Sequence, residues 1–226
     1  MNVLAVIPAY NEEESLASTV NELIETCPQV DYLVIDDGSS DKTWDICKQQ
    51  GFSHIHMPVN TGLSSVFRTG MKYALRHDYD AVVQLDADGQ HVPEYIPTMA
   101  RAMEEQNADI VIASRVLNGE APSGLRNAGS KLLSWLIKRT TGATITDPTS
   151  GMRLYNRKMI EMFATGFDVH PEPDMVALVA RRGGRIAEIP AHVRERQGGE
   201  SYLTIGRSVS YMLRTSLSIL LYQWLR

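Results

Sequence analysis

Three short apolar runs, each breaking off into an acidic loop, constrain the fold of this chain more than any other feature. Val3 to Ile7, Tyr32 to Ile35 and the run that starts at Ala81 are short and rich in valine and isoleucine, as buried strands are. They lead into Pro8-Ala9-Tyr10-Asn11-Glu12-Glu13, Asp36-Asp37-Gly38-Ser39-Ser40-Asp41 and Asp86-Ala87-Asp88-Gly89-Gln90-His91. Segments of helical period lie between them. Leu16, Val20, Leu23, Ile24 and Cys27 form one stripe stopped by Pro28; Val66, Gly70, Tyr73 and Ala74 form another after Asn60-Thr61-Gly62. Thr43 to Gln49 reads as a short helix capped by Ser40 or Asp41, Ile55 to Met57 as a strand, Glu94 to Gln106 as a helix and Ile110 to Ala113 as a strand. This alternation predicts an α/β, Rossmann-like, doubly wound and mostly parallel sheet, whose ligands gather outside the carboxyl ends of the strands.

The third loop carries the sharpest chemistry. Residues two apart in an extended chain point the same way, so Asp86 and Asp88 aim two carboxylates into one space, and Gly89 then permits a sharp turn. Converging carboxylates repel unless a cation lies between them, and a hard divalent ion such as Mg²⁺ or Mn²⁺ prefers such oxygen ligands. An Asp-Gly turn with solvated carboxylates is the alternative. Three acidic loops at equivalent strand ends weigh against three solvated turns.

The second half changes character. Val116 to Asn127, rich in Gly, Pro and Asn, reads as a long loop with Arg115 and Arg126 at its ends. A helix is expected from Gly129 to Arg139, a tight polar turn at Asp147-Pro148-Thr149-Ser150-Gly151-Met152-Arg153, a helix from Glu172 to Arg182 and a strand from Arg185 to Ile189. Arg194 to Ser201 is a basic loop with glycines. In the tail, Ile205, Val209, Met212, Leu213, Leu217, Leu220, Leu221 and Trp224 fall near helical spacing, with Arg207 and Arg214 off that stripe. This amphipathic helix suits a membrane surface; packing on its own domain or on a partner subunit is the other reading. The boundaries expected are one domain over 1–201, divided at 115, and a tail helix over 202–226.

Composition narrows the function classes. A formal net charge of -5 argues against nucleic-acid binding, since phosphate backbones select basic faces. The two cysteines, Cys27 and Cys47, match no metal-binding spacing and suit a reduced, cytoplasmic compartment. No leader segment and no apolar run of membrane-spanning length is visible, so contact with the cell membrane is expected only peripherally, at its inner face.

These motifs, with Ser114-Arg115 and Arg196-Gln197-Gly198-Gly199-Glu200-Ser201, occur in one order across nearly the whole chain. In that order they resemble the family 2 glycosyltransferases of GT-A fold, and most of all the polyprenyl-phosphate (dolichol-phosphate) hexosyltransferase branch. The resemblance implies a nucleotide-diphosphate sugar held by Pro8, Ala9, Tyr10, Glu12, Asp36, Asp37, Asp86, Asp88 and Arg115. It implies a metal held by Asp86, Asp88 and Gln90, and an acceptor phosphate met by Arg126, Ser130, Arg153 and Arg196. Asp88, Arg115 and Asp147 are the implied catalytic residues. Two patterns depart from relatives: the loop after Asn60 reads Gly62-Leu63-Ser64-Ser65 without a basic residue, and the QxxRW pattern of processive synthases is absent.

The acceptor decides the chemistry. A saccharide hydroxyl must lose a proton, which calls for a base such as Asp147, Glu172 or Asp174. A lipid phosphate, with a second pKa of about 6, is already largely ionised and needs cations to position it. The expected reaction is inverting transfer of a hexose to polyprenyl phosphate. Transfer to a saccharide hydroxyl and a non-catalytic nucleotide-sugar binding module are the alternatives. A homodimer or a membrane-protein partner is compatible with the tail helix.

Overall fold

The computed structural model describes residues 1–120, 124–166, 170–196 and 205–221. Pro122 of the expected long loop, the Gly198-Gly199 pair, and Tyr202 and Trp224 of the tail lie outside the described residues. The described strands form one sheet: β1 (Val3–Ala9), β2 (Asp31–Asp36), β3 (His54–His56), β4 (Ala81–Gln84), β5 (Ile110–Ser114), β6 (Arg153–Asn156) and β7 (Ile186–Pro190), in the order β3-β2-β1-β4-β6-β5-β7. All neighbours are parallel except β6, which runs antiparallel to both β4 and β5. The helices are α1 (Leu16–Thr26), α2 (Thr43–Gln50), α3 (Leu63–Arg76), α4 (Ile96–Gln106), α5 (Gly124–Thr141), α6 (Arg157–Thr165), α7 (Pro173–Arg181) and α8 (Ile205–Leu220).

The alternation of the strands divides the core in two. In β1, Ala5 and Ile7 enter the layer that contains Leu16, Leu23 and Met99 of α1 and α4. Leu4 and Val6 enter the opposite layer, with Phe67 of α3, Leu133 of α5 and Phe163 of α6. A strand covered on both faces must be apolar at every position, which is why VLAVI is continuous rather than alternating.

The elements differ from the expected ones in three places. β1 continues through Pro8 to Ala9, because β4 pairs with β1 only as far as Val6 and the missing proline N–H forfeits no bond there. β6 and α6 were not foreseen; the Asn156 side chain accepts from the Met159 N–H at 3.0 Å and caps α6 directly after the strand. α5 starts at Gly124, so Arg126 stands on its first turn and not in a loop. α8 packs on α5 and α7 with Thr215 and Ile219 buried, and no helix among the described residues is long and apolar enough to cross a membrane.

Candidate active site

The first two acidic loops are stitched into one wall. Asn11, at a left-handed φ of 55°, donates its N–H to Ser39 Oγ at 2.9 Å, and its side-chain oxygen accepts from the Ser40 N–H at 2.9 Å. The Glu12 and Glu13 N–H groups go to Thr43 Oγ1 and Asp41, and Glu13 accepts from the Lys42 N–H. Asp41, one residue before the cap of α2, accepts the Thr43 N–H at 2.9 Å. Above this wall Tyr10 is exposed, Pro8 is half-buried and Ala9 is buried.

Asp36 and Asp37 lie within the wall rather than on it. Asp36 is fully buried and accepts from Ser39 and from His56 Nδ1, the latter at 2.6 Å, while the His56 ring stacks on Trp44 at 4.0 Å. Asp37 accepts from the Thr61 N–H, Thr61 Oγ1 and the Gly62 N–H, each at 2.8 Å. Gly38, at φ +69°, makes this closure feasible, since a Cβ there would lie 2.7 Å from the Val59 carbonyl carbon. The resemblance assigns both aspartates to the donor; in the structure their carboxylates tie the acidic loop to His56 and to the Thr61-Gly62 segment.

Asp86 and Asp88 follow the end of β4. Asp86 accepts from Gln84 Nε2 at 3.1 Å, and its own N–H donates to His91 Nδ1 at 3.0 Å. That bond places the His91 ring proton on Nε2, which lies 3.6 Å from Asp86 Oδ2. Asp88 accepts the Gln90 N–H at 3.1 Å. Burial, and then the Asp86 charge, push the Asp88 carboxyl above its usual range. Gly151 keeps the space beside Asp86 open, because a Cβ there would stand 3.1 Å from Oδ2. Among the described residues no group of three or more His, Cys, Asp or Glu gathers as a metal cluster. The neighbouring Asp86 and Asp88 carboxylates are hard oxygen donors that His91 and Arg196 offset only in part, and they fit a divalent cation of the Mg²⁺ or Mn²⁺ type.

A strap from Ala191 to Arg196 crosses this turn. The Arg194 N–H donates to the Gln90 carbonyl at 3.0 Å, and Gln90 Nε2 donates to the Arg194 carbonyl at 3.2 Å, which leaves Gln90 Oε1 for a cation. The strap is fastened by Arg194 to Glu22 at 2.8 Å and by His192 to Glu120 at 2.7 Å. Arg196 bonds Glu12 at 2.5 Å and lies 3.8 Å from Asp88. The resemblance places it among the acceptor contacts; here it stands between Glu12 and Asp88. Burial raises the Glu12 carboxyl, and Arg196 opposes that rise.

The neighbouring turn is built on an ion pair between half-buried Arg115 and buried Asp147. Arg115 Nε and Nη2 reach the two Asp147 oxygens at 2.8 Å each, the Arg115 N–H adds a third bond, and Nη2 also reaches Thr149. Asp147 is fully buried. Burial alone would raise its carboxyl, but the Arg115 hydrogen bonds and charge outweigh it and hold the group below the usual range. Asp147 is one of the candidate bases in the sequence; here both its oxygens accept hydrogen bonds, from Arg115 and Thr149. Glu188 of β7 holds the turn from behind, accepting the Thr146 and Asp147 N–H groups at 2.8 and 2.9 Å.

The remaining expected residues scatter. Ser130 is buried on α5 and accepts from Thr149 at 3.3 Å, and Arg126 is exposed one turn earlier. Arg153 was expected at an acceptor phosphate. Its guanidinium is buried and donates to the carbonyls of Ser150, Pro148 and Pro171, which fixes the turn. Glu172 stands at the N-cap position of α7 without a capping bond from its side chain, its carboxyl is raised by burial and by Asp174, and Asp174 accepts from Ser218 of α8 at 2.6 Å. Sequence reading missed Ser39, His56, Thr149, Glu188 and Arg194. The one available signal was position: His56 and Glu188 lie on the strands that neighbour the acidic loop and the polar turn.

An open α/β sheet with acidic loops, a paired-aspartate turn and arginines at its strand ends defines a glycosyltransferase of GT-A fold. The chain belongs to glycosyl transferase family 2, whose model matches residues 4–163. Its relatives include the undecaprenyl-phosphate mannosyltransferase of Micrococcus luteus, 34% identical over 96% of this chain and 95% of that one. They also include the polyprenol monophosphomannose synthase of Mycolicibacterium smegmatis, 30% identical over 89% and 80%. The glucosyl-3-phosphoglycerate synthase of Mycobacterium tuberculosis, solved with Mn²⁺, uridine diphosphate and glucosyl-3-phosphoglycerate, shares the fold at a TM-score of 0.71 with 18% identity, over 98% of this chain and 79% of that one. The resemblance to the polyprenyl-phosphate hexosyltransferase branch is thus matched by full-length relatives.

Proposed function

We propose that this glycosyltransferase moves a hexose, with inversion, from a nucleotide-diphosphate sugar to a polyprenyl phosphate, and that it depends on Mg²⁺ or Mn²⁺. The names of its mannosyltransferase relatives support the acceptor, and the Mn²⁺ and uridine diphosphate of the structural neighbour support the metal and donor class. One observation carries the reading: Asp147 is locked to Arg115 by two 2.8 Å bonds. That wall therefore offers a guanidinium fixed in orientation, and its Asp147 carboxylate is engaged rather than free to take a proton. A phosphate acceptor, already ionised, needs that arrangement, whereas a hydroxyl does not get its proton removed by it.

The roles follow from the contacts. Pro8, Ala9, Tyr10 and Glu12 line the nucleoside pocket, which Asp36 and Asp37 hold in shape. Asp86, Asp88 and the Gln90 amide oxygen would hold the cation, which when bound neutralises charge on the departing diphosphate. Arg115 meets phosphate as the bond to the sugar breaks, its guanidinium fixed in advance by Asp147 so that no reorientation is needed. Arg126 and Ser130 serve the acceptor phosphate, residues 116–201 forming the acceptor half and 1–115 the donor half. The acceptor is a lipid, so the enzyme works at a membrane surface, the inner face of the cell membrane, with α8 toward the lipid.

A matrix of nucleotide sugars against polyprenyl phosphate and free saccharides, with and without Mg²⁺ or Mn²⁺, tests the proposal. Product is expected only with the lipid phosphate and a divalent cation. Transfer to a saccharide hydroxyl that ignores lipid phosphate would overturn the acceptor, and full turnover in a chelator would overturn the metal.

A further inference from the structure

In a chain of formal net charge -5, neither α5 nor α8 contains a single Asp or Glu. On α5, Lys131, Leu132, Trp135, Lys138 and Arg139 are exposed at the spacing of one helical face. Trp135 is 60% and Leu132 46% exposed, while Leu133, Leu136 and Ile137 are buried on the other side. α8 repeats the arrangement, with Leu213 62% and Leu217 51% exposed beside an exposed Arg214, and with Thr215 and Ile219 buried. The helices touch where Met212 lies over Gly129, at 2.8 Å from where a Cβ would be.

We propose that α5 and α8 together form a docking face for an anionic lipid bilayer, with Trp135 and the leucines entering the interface and the lysines and arginines meeting headgroups. The charge decides the occupant. A second copy seated symmetrically on this face would set cations against cations, which is repulsive, whereas an anionic surface complements them. An exposed tryptophan amid leucines and basic residues is the composition of an interfacial helix, whose long cationic side chains reach headgroups while their stems lie in the apolar zone. The face is joined to the chemistry: Ser130, adjacent to Lys131, is bonded to Thr149, and Thr149 to Arg115. Docking there would bring a membrane-borne phosphate to the wall proposed to receive it. The inference rests on the proposed function and deepens it by adding the α5 face, and vesicle binding is read without an acceptor in the vesicles.

The full chain is sedimented with vesicles of phosphatidylcholine alone and of an equimolar mixture with phosphatidylglycerol. Binding to the mixed vesicles alone is expected, weakened by salt. Replacing Lys138 and Arg139 by Gln should weaken it about fivefold per charge, and Leu132→Ser with Trp135→Ser about tenfold or more. Wild-type protein left in the supernatant with mixed vesicles overturns the proposal. So does unchanged binding of the α5 variants, or a vesicle-free dimer that L132S/W135S dissociates. Circular dichroism and transfer to a short-chain, water-soluble polyprenyl phosphate check that the variants fold. Soluble transfer without vesicle binding sinks the docking face alone; vesicle binding without transfer to any polyprenyl phosphate sinks the proposed reaction alone.

Discussion

The turn at Asp86–Asp88 and the turn that runs from Asp147 to Gly151 adjoin at Gly151 and treat their carboxylates in opposite ways. Asp147 is saturated: Arg115 and Thr149 take both oxygens, and its charge is more stable in the fold than in water. Asp88 is undersatisfied: it has one backbone N–H, a guanidinium at 3.8 Å, and a like charge beside it. A fold gains by completing the first kind of site. The second kind costs stability and persists where the missing partner arrives from outside. The contrast separates scaffold aspartates from functional ones more sharply than residue type does.

The largest effect should come from the undersatisfied pair. Asp88→Asn removes a ligand charge from the proposed cation site, and a metal's share of transition-state stabilisation is several kcal/mol, so transfer should fall about 10³-fold. Mn²⁺ binding, followed by electron paramagnetic resonance, should weaken in parallel. Transfer at the wild-type rate in D88N would erase the contrast.

On the saturated side the loss should appear as stability. Asp147→Ala leaves the Arg115 guanidinium partly buried and unpaired, at a cost of about 3 kcal/mol in denaturant unfolding. Wild-type stability in D147A would mean that the pair is cosmetic. Asp37→Ala should act in the same direction but less, about 2 kcal/mol, since it strands the Thr61 and Gly62 N–H groups. Unlike D147A it should also raise the KM for the nucleotide sugar, because the loop it releases borders the donor pocket.

How much of this was legible in the sequence depended on what each residue's partner was. β1, β2 and the run from Ala81 declared themselves because strands covered on both faces are uniformly apolar. β6 did not: Arg153 and Asn156 are polar, only Leu154 and Tyr155 read as core, and its antiparallel place between β4 and β5 comes from pairing distant in the chain. The same holds in the site. The carboxylates of the strand-end loops were visible as residues, but whether one faces solvent, a backbone N–H or an arginine is set by residues far away. Asp37 meets Thr61, and Asp147 meets Arg115, across 24 and 32 positions. Arg153 is a case of the same kind, since a guanidinium that binds three carbonyls and one that binds phosphate look identical in a sequence.

The smallest predicted effect is the one that tests the contrast by sign. The Asp88 carboxyl is raised in the fold, so the folded state binds its proton more tightly than the unfolded chain does. Its contribution is fully present below the unfolded value and is lost as pH rises through the folded one. Near neutrality Asp88 is therefore a net burden, and metal-free D88N should melt slightly above wild type, with the gap closing as pH falls toward the carboxylate range. The Asp147 carboxyl is lowered, so its contribution is present above the unfolded value and lost as pH falls through the folded one. D147N should accordingly melt below wild type at neutrality, with that gap also closing in acid. Melting curves of the two variants against pH, in chelator, should converge on wild type from opposite sides. Addition of Mn²⁺ and nucleoside diphosphate should raise wild type and leave D88N behind, because the ligand stabilises only the state that binds it. If both variants approach from the same side, the two aspartates do the same work and the division between scaffold and site fails.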